Sequence, residues 1–359
     1  MNLLPDAEAY RRLVQGVDRG PAAVAARGAL SIVSLPYAAA VAFRSAAYDA
    51  GVLPVARAAI PVVSIGNLTL GGTGKTPLVA WVARHFRAMG IAVAIVSRGY
   101  AARAGEKSDE AKELAILVPD VAHEADRDRV AAVRRAVARH GAEIAILDDG
   151  FQHRRLARSL DIVTIDATDP FGGGRLFPRG LLREPLAALS RADAVVVTRC
   201  DLVDSGTVAS IVETVRSRCG SRTPAVWAES RHGPTRLRFA SGDAAPLEHL
   251  AGRRVVAVCG IGNPAPFRAT LERLGAATVG SLTFPDHHDY DDGDLARIVD
   301  AAKRSDAEWV VTTLKDLVKI RRDRLDGLPL AAVEIELAIT SGREPLERLL
   351  SKVPCAASS

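Results

Sequence analysis

The chain is poor in aromatic residues, holds few cysteines and carries no long run of one charge. Phe, Trp and Tyr make up 4% of 359 residues. No aromatic stacking pattern, zinc-finger spacing or long basic tract accompanies them, so nucleic acid is not expected as a partner. The cysteines are Cys200, Cys219, Cys259 and Cys355, and none are in C-x-x-C spacing. That excludes the usual zinc and redox-pair patterns, and a reducing, cytosolic side is the simplest setting. The opening Pro5-Asp6-Ala7-Glu8 lacks the basic-then-apolar order of a secretory signal. A membrane-crossing helix is not expected either. The uncharged stretch between Arg27 and Arg44 is sixteen residues long and contains Pro36, whereas a span takes about 20 apolar residues.

What is present is ordinary for a globular protein: 48% hydrophobic residues, 25% charged residues and a formal net charge of +5. The mild positive excess suits an anionic ligand or an anionic membrane surface. The length allows two domains or one large α/β domain.

One stretch organises the rest. Thr69-Leu70-Gly71-Gly72-Thr73-Gly74-Lys75-Thr76 follows the apolar run 60–65 and precedes the amphipathic start 78–83. Strand, glycine-rich turn, Lys-Thr and helix make up the P-loop arrangement. Its glycines let backbone N–H groups converge on phosphate oxygens, with the helix dipole behind them. Lys75 can reach the β- and γ-phosphates and Thr76 can offer a hydroxyl to Mg²⁺. Thr69 stands where the plain pattern has its first glycine.

About seventy residues on, the apolar strand 143–147 ends in Asp148-Asp149-Gly150. An apolar strand terminating in acids can hold Mg²⁺ directly or through water. Further strands are predicted at 92–97, 162–166 and 194–198, then at 225–228, 253–260, 278–283, 309–313 and 330–335. Residues 101–113, which include Asp109-Glu110, read as a polar loop. Residues 124–140 read as a helix. Between 171 and 191 lie Arg175, Arg179, Arg183 and Arg191 against the single acid Glu184, a composition that can clamp phosphates. Phe284-Pro285-Asp286-His287-His288-Asp289 opens a loop between a strand and a helix, where catalytic side chains are often mounted. Residues 1–58, punctuated by arginines, read either as helices packed on a core or as a helix in a membrane interface.

The ordered set resembles the tetraacyldisaccharide 4′-kinases, the inner-membrane enzymes that phosphorylate the lipid A precursor. The resemblance rests on Val63 to Asn67 running into Gly71 to Pro77, on Ser97-Arg98-Gly99-Tyr100 and on Asp148 to His153. It continues through Pro178 to Pro185, Phe284 to His287, and Thr312-Thr313 with Lys315-Asp316. It implies a P-loop NTPase-type α/β fold with a mostly parallel sheet flanked by helices. The implied domains are an N-terminal helical segment at 1–58, a kinase core at 59–225 and a smaller α/β half at 226–359.

The resemblance also implies Mg²⁺ and ATP as phosphoryl donor, and the 4′-hydroxyl of an acylated glucosamine disaccharide 1-phosphate as acceptor, giving lipid IVA. Residues 69–76 and Arg183 would bind ATP, with Arg98 a further phosphate contact. Thr76, Asp148 and Asp149 would serve the metal, and Lys75 would ride with the transferring group. Asp109 would be the general base, with His287 as its partner. The N-terminal segment would lie peripherally on the cytoplasmic face of the inner membrane. Two departures stand out: Ser108 and Ala111 flank the acid pair where the family has Gly and Pro, and Leu314 stands where it has Glu. The main rival is a GTPase-like switch or metallochaperone, suggested by Thr198-Arg199-Cys200-Asp201. The P-loop is not followed by a switch motif at the spacing that class requires.

Overall fold

A computed structural model describes residues 7–99, 109–261, 264–285 and 288–354. In chain order the elements begin with α1 (Ala7–Gln15), α2 (Pro21–Asp49), β1 (Val62–Asn67), α3 (Lys75–Ala88) and β2 (Val93–Ser97). Then come α4 (Asp109–Leu117), β3 (Ala122–Ala125), α5 (Arg129–His140), β4 (Ile144–Asp148), β5 (Leu160–Asp166), β6 (Ala194–Thr198) and α6 (Ser205–Cys219). The later ones are β7 (Val226–Arg238), β8 (Ala244–Ala245), β9 (Arg254–Cys259), α7 (Ala265–Arg273), β10 (Ala277–Thr283) and α8 (Asp292–Arg304). The chain closes with β11 (Trp309–Thr313), α9 (Leu314–Ile320), β12 (Arg324–Leu325), β13 (Leu328–Ser341) and α10 (Arg343–Ser351).

The backbone divides into two compact units. The first comprises residues 1–99, 118–232 and 337–359; the second comprises 100–117 and 233–336. These are not the contiguous segments 1–58, 59–225 and 226–359 expected from the sequence.

In the first unit the strands run β7-β6-β5-β1-β4-β2-β3. The pairings among them are parallel. Every residue of β1, β2, β4, β5 and β6 is buried, which is why they read as unbroken apolar runs rather than alternating ones. β1 lies between β4 and β5, with Ile65 opposite Asp148 and Asn67 opposite Thr164. That register brings the P-loop and the strand-ending acids to the same carboxyl edge, where open α/β sheets bind ligands. In the second unit the order is β10-β9-β11-β13, again parallel, with β12 antiparallel to β13.

Two local expectations are corrected. Asp109-Glu110 opens helix α4 rather than lying in a loop. Seven of the nine residues of 109–117 are Ala, Leu, Glu or Lys, all good helix formers, and Asp109-Glu110 stand at the end of the helix where the dipole favours acids. The predicted helix 124–140 begins late, because 122–125 form β3 and Asp128 caps α5 by accepting from the Val130 and Ala131 amides.

Helix α2 is 29 residues long, none of them buried. Pro36 does not end it, so the sixteen-residue count understated its length. By length and composition it could cross a membrane. Ile32, Leu35 and Phe43 are 70%, 66% and 79% exposed. Its C-terminal half is tied down. The Tyr37 hydroxyl donates to the Arg183 carbonyl at 2.9 Å, Arg44 donates to the Gln152 carbonyl, and Arg154 reaches Ser45 and Asp49.

Gly66, near the end of β1, meets the turn after β4. A Cβ there would lie 2.6 Å from Phe151 Cβ and 2.7 Å from the Phe151 amide nitrogen. Phe151 is fully buried and has nowhere to move. Gly66→Ala is expected to cost about 1–3 kcal/mol, read as a lower urea midpoint with an unchanged slope.

Candidate active site

The P-loop is held from behind by hydroxyl groups on β5 and β6. Thr73 Oγ1 lies 2.7 Å from Thr164 Oγ1, which also donates to the Gly66 carbonyl at 3.2 Å. Thr198 Oγ1 donates to the Thr73 carbonyl at 2.9 Å. All three threonines are buried, so each hydroxyl needs such a partner. Arg199, at the end of β6, pairs with Asp166 and donates to the Gly72 carbonyl at 3.1 Å. Asn67 serves the loop twice: its amide donates to the Thr69 carbonyl at 2.8 Å, and its Oδ1 accepts from Lys75 Nζ at 3.2 Å. His232 on β7 packs on Gly74, where a Cβ would come within 2.3 Å of the imidazole. Thr69 and Leu70 are paired to the arginine loop, with the Leu70 and Arg183 amides donating to the Leu181 and Leu68 carbonyls.

Asp149 joins the two loops. It takes a left-handed conformation, φ 54°, unusual for a residue with a side chain. That turn presents its carboxylate to Arg183 Nη1 at 2.8 and 3.0 Å and to Lys75 Nζ at 3.5 Å. Burial pushes the Asp149 carboxyl up, but Lys75 and Arg183 outweigh it and bring it down to about 2. Asp148, at the end of β4, is buried. Arg158 fastens the following turn, donating to the Gly150 and Phe151 carbonyls at 3.0 and 2.9 Å while pairing with Asp161.

Beside Asp149 opens a cavity of about 560 Å³. Arg44, Arg98, Arg127, Arg129, Arg154 and Arg183 face it, against two carboxylates, Asp149 and Glu184. Tyr37, Ala40 and Val41 of α2 form one wall. His153 also lines it; burial and the nearby Arg129, Arg158 and Arg155 lower its imidazole to about 4. A cationic, arginine-rich recess of this size suits a phosphate on a larger polar body.

The first unit thus brings together Thr69 to Thr76, Asp148, Asp149, Arg98 and Arg183 of the residues singled out from sequence. Thr76 lies in the first turn of α3. Asp109 stands at the start of α4 in the second unit, and His287 lies outside the described residues. The neighbour of His287 is well anchored. His288 Nε2 lies 2.6 Å from Asp294 Oδ2, its ring stacks on Phe284 at 4.7 Å, and its carbonyl accepts from Lys319 at 3.0 Å. Asp316 accepts from the Gly260 amide at 2.9 Å and the Thr313 hydroxyl at 2.6 Å. Sequence reasoning assigned no role to Asn67, Arg129, His153, Arg158, Thr164, Thr198, Arg199 or His232. Asn67 and His153 lie inside the motifs that carry the family resemblance, and Thr198 and Arg199 inside the run that suggests the GTPase-like rival.

No three His, Cys, Asp or Glu residues cluster as a metal site among the described residues. A P-loop magnesium needs fewer protein ligands, because phosphate oxygens and waters supply the rest. The Thr76 hydroxyl and the buried Asp148 carboxylate are hard oxygen donors of the right kind for it.

A parallel sheet with this P-loop, strand-ending acids and arginine recess defines a P-loop kinase fold. Comparison with known proteins narrows the class. A family model described as "Tetraacyldisaccharide-1-P 4'-kinase" (LpxK) matches residues 26–354. The tetraacyldisaccharide 4′-kinase of Anaeromyxobacter dehalogenans strain 2CP-C is 42% identical over 351 residues, covering 92% of each chain. That of Geobacter metallireducens is 39% identical over 90% of this chain and 97% of its own. A crystal structure of LpxK from Aquifex aeolicus in complex with ATP is 29% identical, with a TM-score of 0.71 over 91% of this chain and 99% of its own. The chain belongs to the tetraacyldisaccharide-1-phosphate 4′-kinase family.

Two imidazoles here are hard to protonate: His153, lowered to about 4, and His232, which burial and Arg199 lower to about 3. The unfolded chain takes up these protons below about pH 6.5 while the folded chain does not. Stability is therefore expected to fall as pH drops from 6.5 towards 4. The double variant H153Q/H232Q should flatten that slope, measured as urea midpoints at pH 7 and 4.5.

Proposed function

We propose that this chain transfers the γ-phosphoryl group of ATP to the 4′-hydroxyl of a tetraacylated glucosamine disaccharide 1-phosphate. The reading places the protein peripherally on the cytoplasmic face of the bacterial inner membrane. The observation that carries it is the adjacency, within one unit, of three features. They are a P-loop, a recess facing six arginines, and an exposed apolar helix that forms the recess wall. A donor site, an anion site and a lipid-compatible surface are what phosphorylation of an amphiphilic sugar phosphate requires.

The residues divide the work. Backbone amides of 70–75 hold the donor's phosphates, and Lys75 follows the transferring group. Thr76 and Asp148 would hold Mg²⁺, with Asp149 close by. Held there, the ion would supply positive charge that offsets the donor phosphates. Asp149 also keeps Lys75 and Arg183 oriented before the donor arrives. Arg183 and Arg98 contact phosphates bidentately. In the second unit Asp109 acts as general base and His287 orients it. The hydroxyl proton passes to the Asp109 carboxylate as the 4′-oxygen bonds to the γ-phosphorus. The β–γ bridging oxygen leaves with its electron pair on ADP. Catalysis is mostly positioning and charge neutralisation.

Labelled γ-phosphate is expected to move from ATP, in preference to GTP, onto purified disaccharide 1-phosphate. Lys75→Ala should cut turnover by about 10²-fold or more with folding intact. Asp109→Ala should lower kcat with little change in ATP affinity. Near wild-type turnover in Asp109→Ala would remove that base assignment, and GTP preference would remove the kinase reading.

The membrane part is tested separately. Wild-type protein is expected to float with anionic phospholipid vesicles. The triple variant Ile32→Asp, Leu35→Asp, Phe43→Asp should stay in the soluble fraction while its Tm holds, because none of these side chains is buried.

A further inference from the structure

Helix α1 lies N-terminal to residue 26, where the family match begins, and no role assigned so far uses it. Nine residues do not hold a helix alone in water, so its docking is what keeps it formed. Tyr10 donates its hydroxyl to the Pro178 carbonyl. Val14 is buried, and its carbonyl accepts from Arg179 at 2.9 Å. Gln15 donates to Asp169 Oδ2 at 2.8 Å, and Asp169 Oδ1 accepts from the Gly172 amide at 3.1 Å. Every one of these partners sits on the loop after β5, at the sheet edge that carries the P-loop.

That docking aims one side chain. Gly71, at the tip of the P-loop with φ +116°, has Arg11 against it: a Cβ at Gly71 would lie 2.5 Å from Arg11 Nη2. The same construction at Gly72 meets nothing within 4 Å, so the guanidinium covers one side of the tip and leaves the other open. Burial pushes the Asp169 carboxyl up, and the Arg11 charge opposes that rise. A guanidinium beside the amides of a phosphate-binding turn is a planar, permanently charged donor set suited to phosphate oxygens.

We infer that Arg11 of α1 is a catalytic residue that contacts the terminal phosphate of the bound nucleoside triphosphate, so that the segment ahead of α2 completes the donor site. The inference rests on the ATP reading above. As a phosphoryl group transfers, negative charge builds on its oxygens and on the leaving bridging oxygen, and a fixed arginine there acts on the transition state. The φ of +116° already disfavours a side chain at Gly71, and the Arg11 guanidinium lies where its Cβ would stand.

The test measures ATP and ADP affinity and kcat for full-length wild type and R11A, with Tm as a fold control. ADP affinity should stay unchanged while ATP affinity falls about tenfold, the worth of one charge-assisted contact. Turnover should fall about 10²-fold or more, with partial rescue by added guanidinium ion, which a purely structural arginine would not show. If R11A does not fold, R11K carries the same comparison, with a smaller ATP-selective loss expected because the charge stays but the fork is gone. An unchanged ratio of ATP to ADP affinity, or equal loss of both, overturns the inference. Wild-type protein that bound neither nucleotide would instead overturn the ATP reading itself.

Discussion

A carboxylate shared by two cations sets the geometry of the first unit. Asp149 holds Lys75 of the P-loop and Arg183 of the arginine loop at once. Residues 68–70 and 181–183 also exchange backbone hydrogen bonds, so the pair is braced rather than merely attracted. Asp149 reaches both partners only from a left-handed backbone, a conformation that costs about 1–2 kcal/mol for a residue with a Cβ. The Gly150 amide to the Ile65 carbonyl and Arg158 on the next carbonyls keep that turn in place. Strain in one residue is offset by contacts from three directions, a pattern that concentrates where function fixes the backbone.

The P-loop and the double aspartate were legible because their information is local. Each is a short run of residues after an apolar strand, and buried parallel strands announce themselves as such. The hydroxyl chain Thr73–Thr164–Thr198 was not legible. Its members lie on three stretches of sequence and meet only because β1, β5 and β6 are neighbours in register. The same holds for the recess. Arg44, Arg98, Arg129 and Arg154 come from α2, the end of β2, α5 and the turn after β4, and single arginines on a sequence look solvated. Helix α4 is hidden for a different reason: residues 101–108 ahead of Asp109 are polar and loop-like in sequence, and no capping box marks where that character ends. The division of the chain was hidden too, since 337–359 return to the first unit after a hundred residues spent in the second. Composition does not record a return.

Several arginines act here as structural members rather than as free charge. Arg129 is buried and donates to the Val96 and Asp148 carbonyls. Arg158 and Arg199 each grip backbone oxygens of a functional turn. At these positions arginine is a supply of multi-pronged donors for carbonyls left over at strand ends. The net charge of +5 therefore says less about ligand binding than the placement of particular guanidinium groups does.

Helix α2 has a further consequence as a ruler. From Leu35 to Arg44 the axis advances by roughly 13 Å at 1.5 Å per residue. Leu35 is bare to its surroundings, whereas Arg44 is bonded to the turn that follows the double aspartate. An amphiphile aligned with this helix would have its oily portion and its charged portion measured off against fixed marks. Changing the number of residues between those marks, with their chemistry kept, would shift the level at which a headgroup meets the phosphate-handling edge. Selection among amphiphiles could then act on the distance between polar and apolar parts, without any contact that reads the acyl chains one by one.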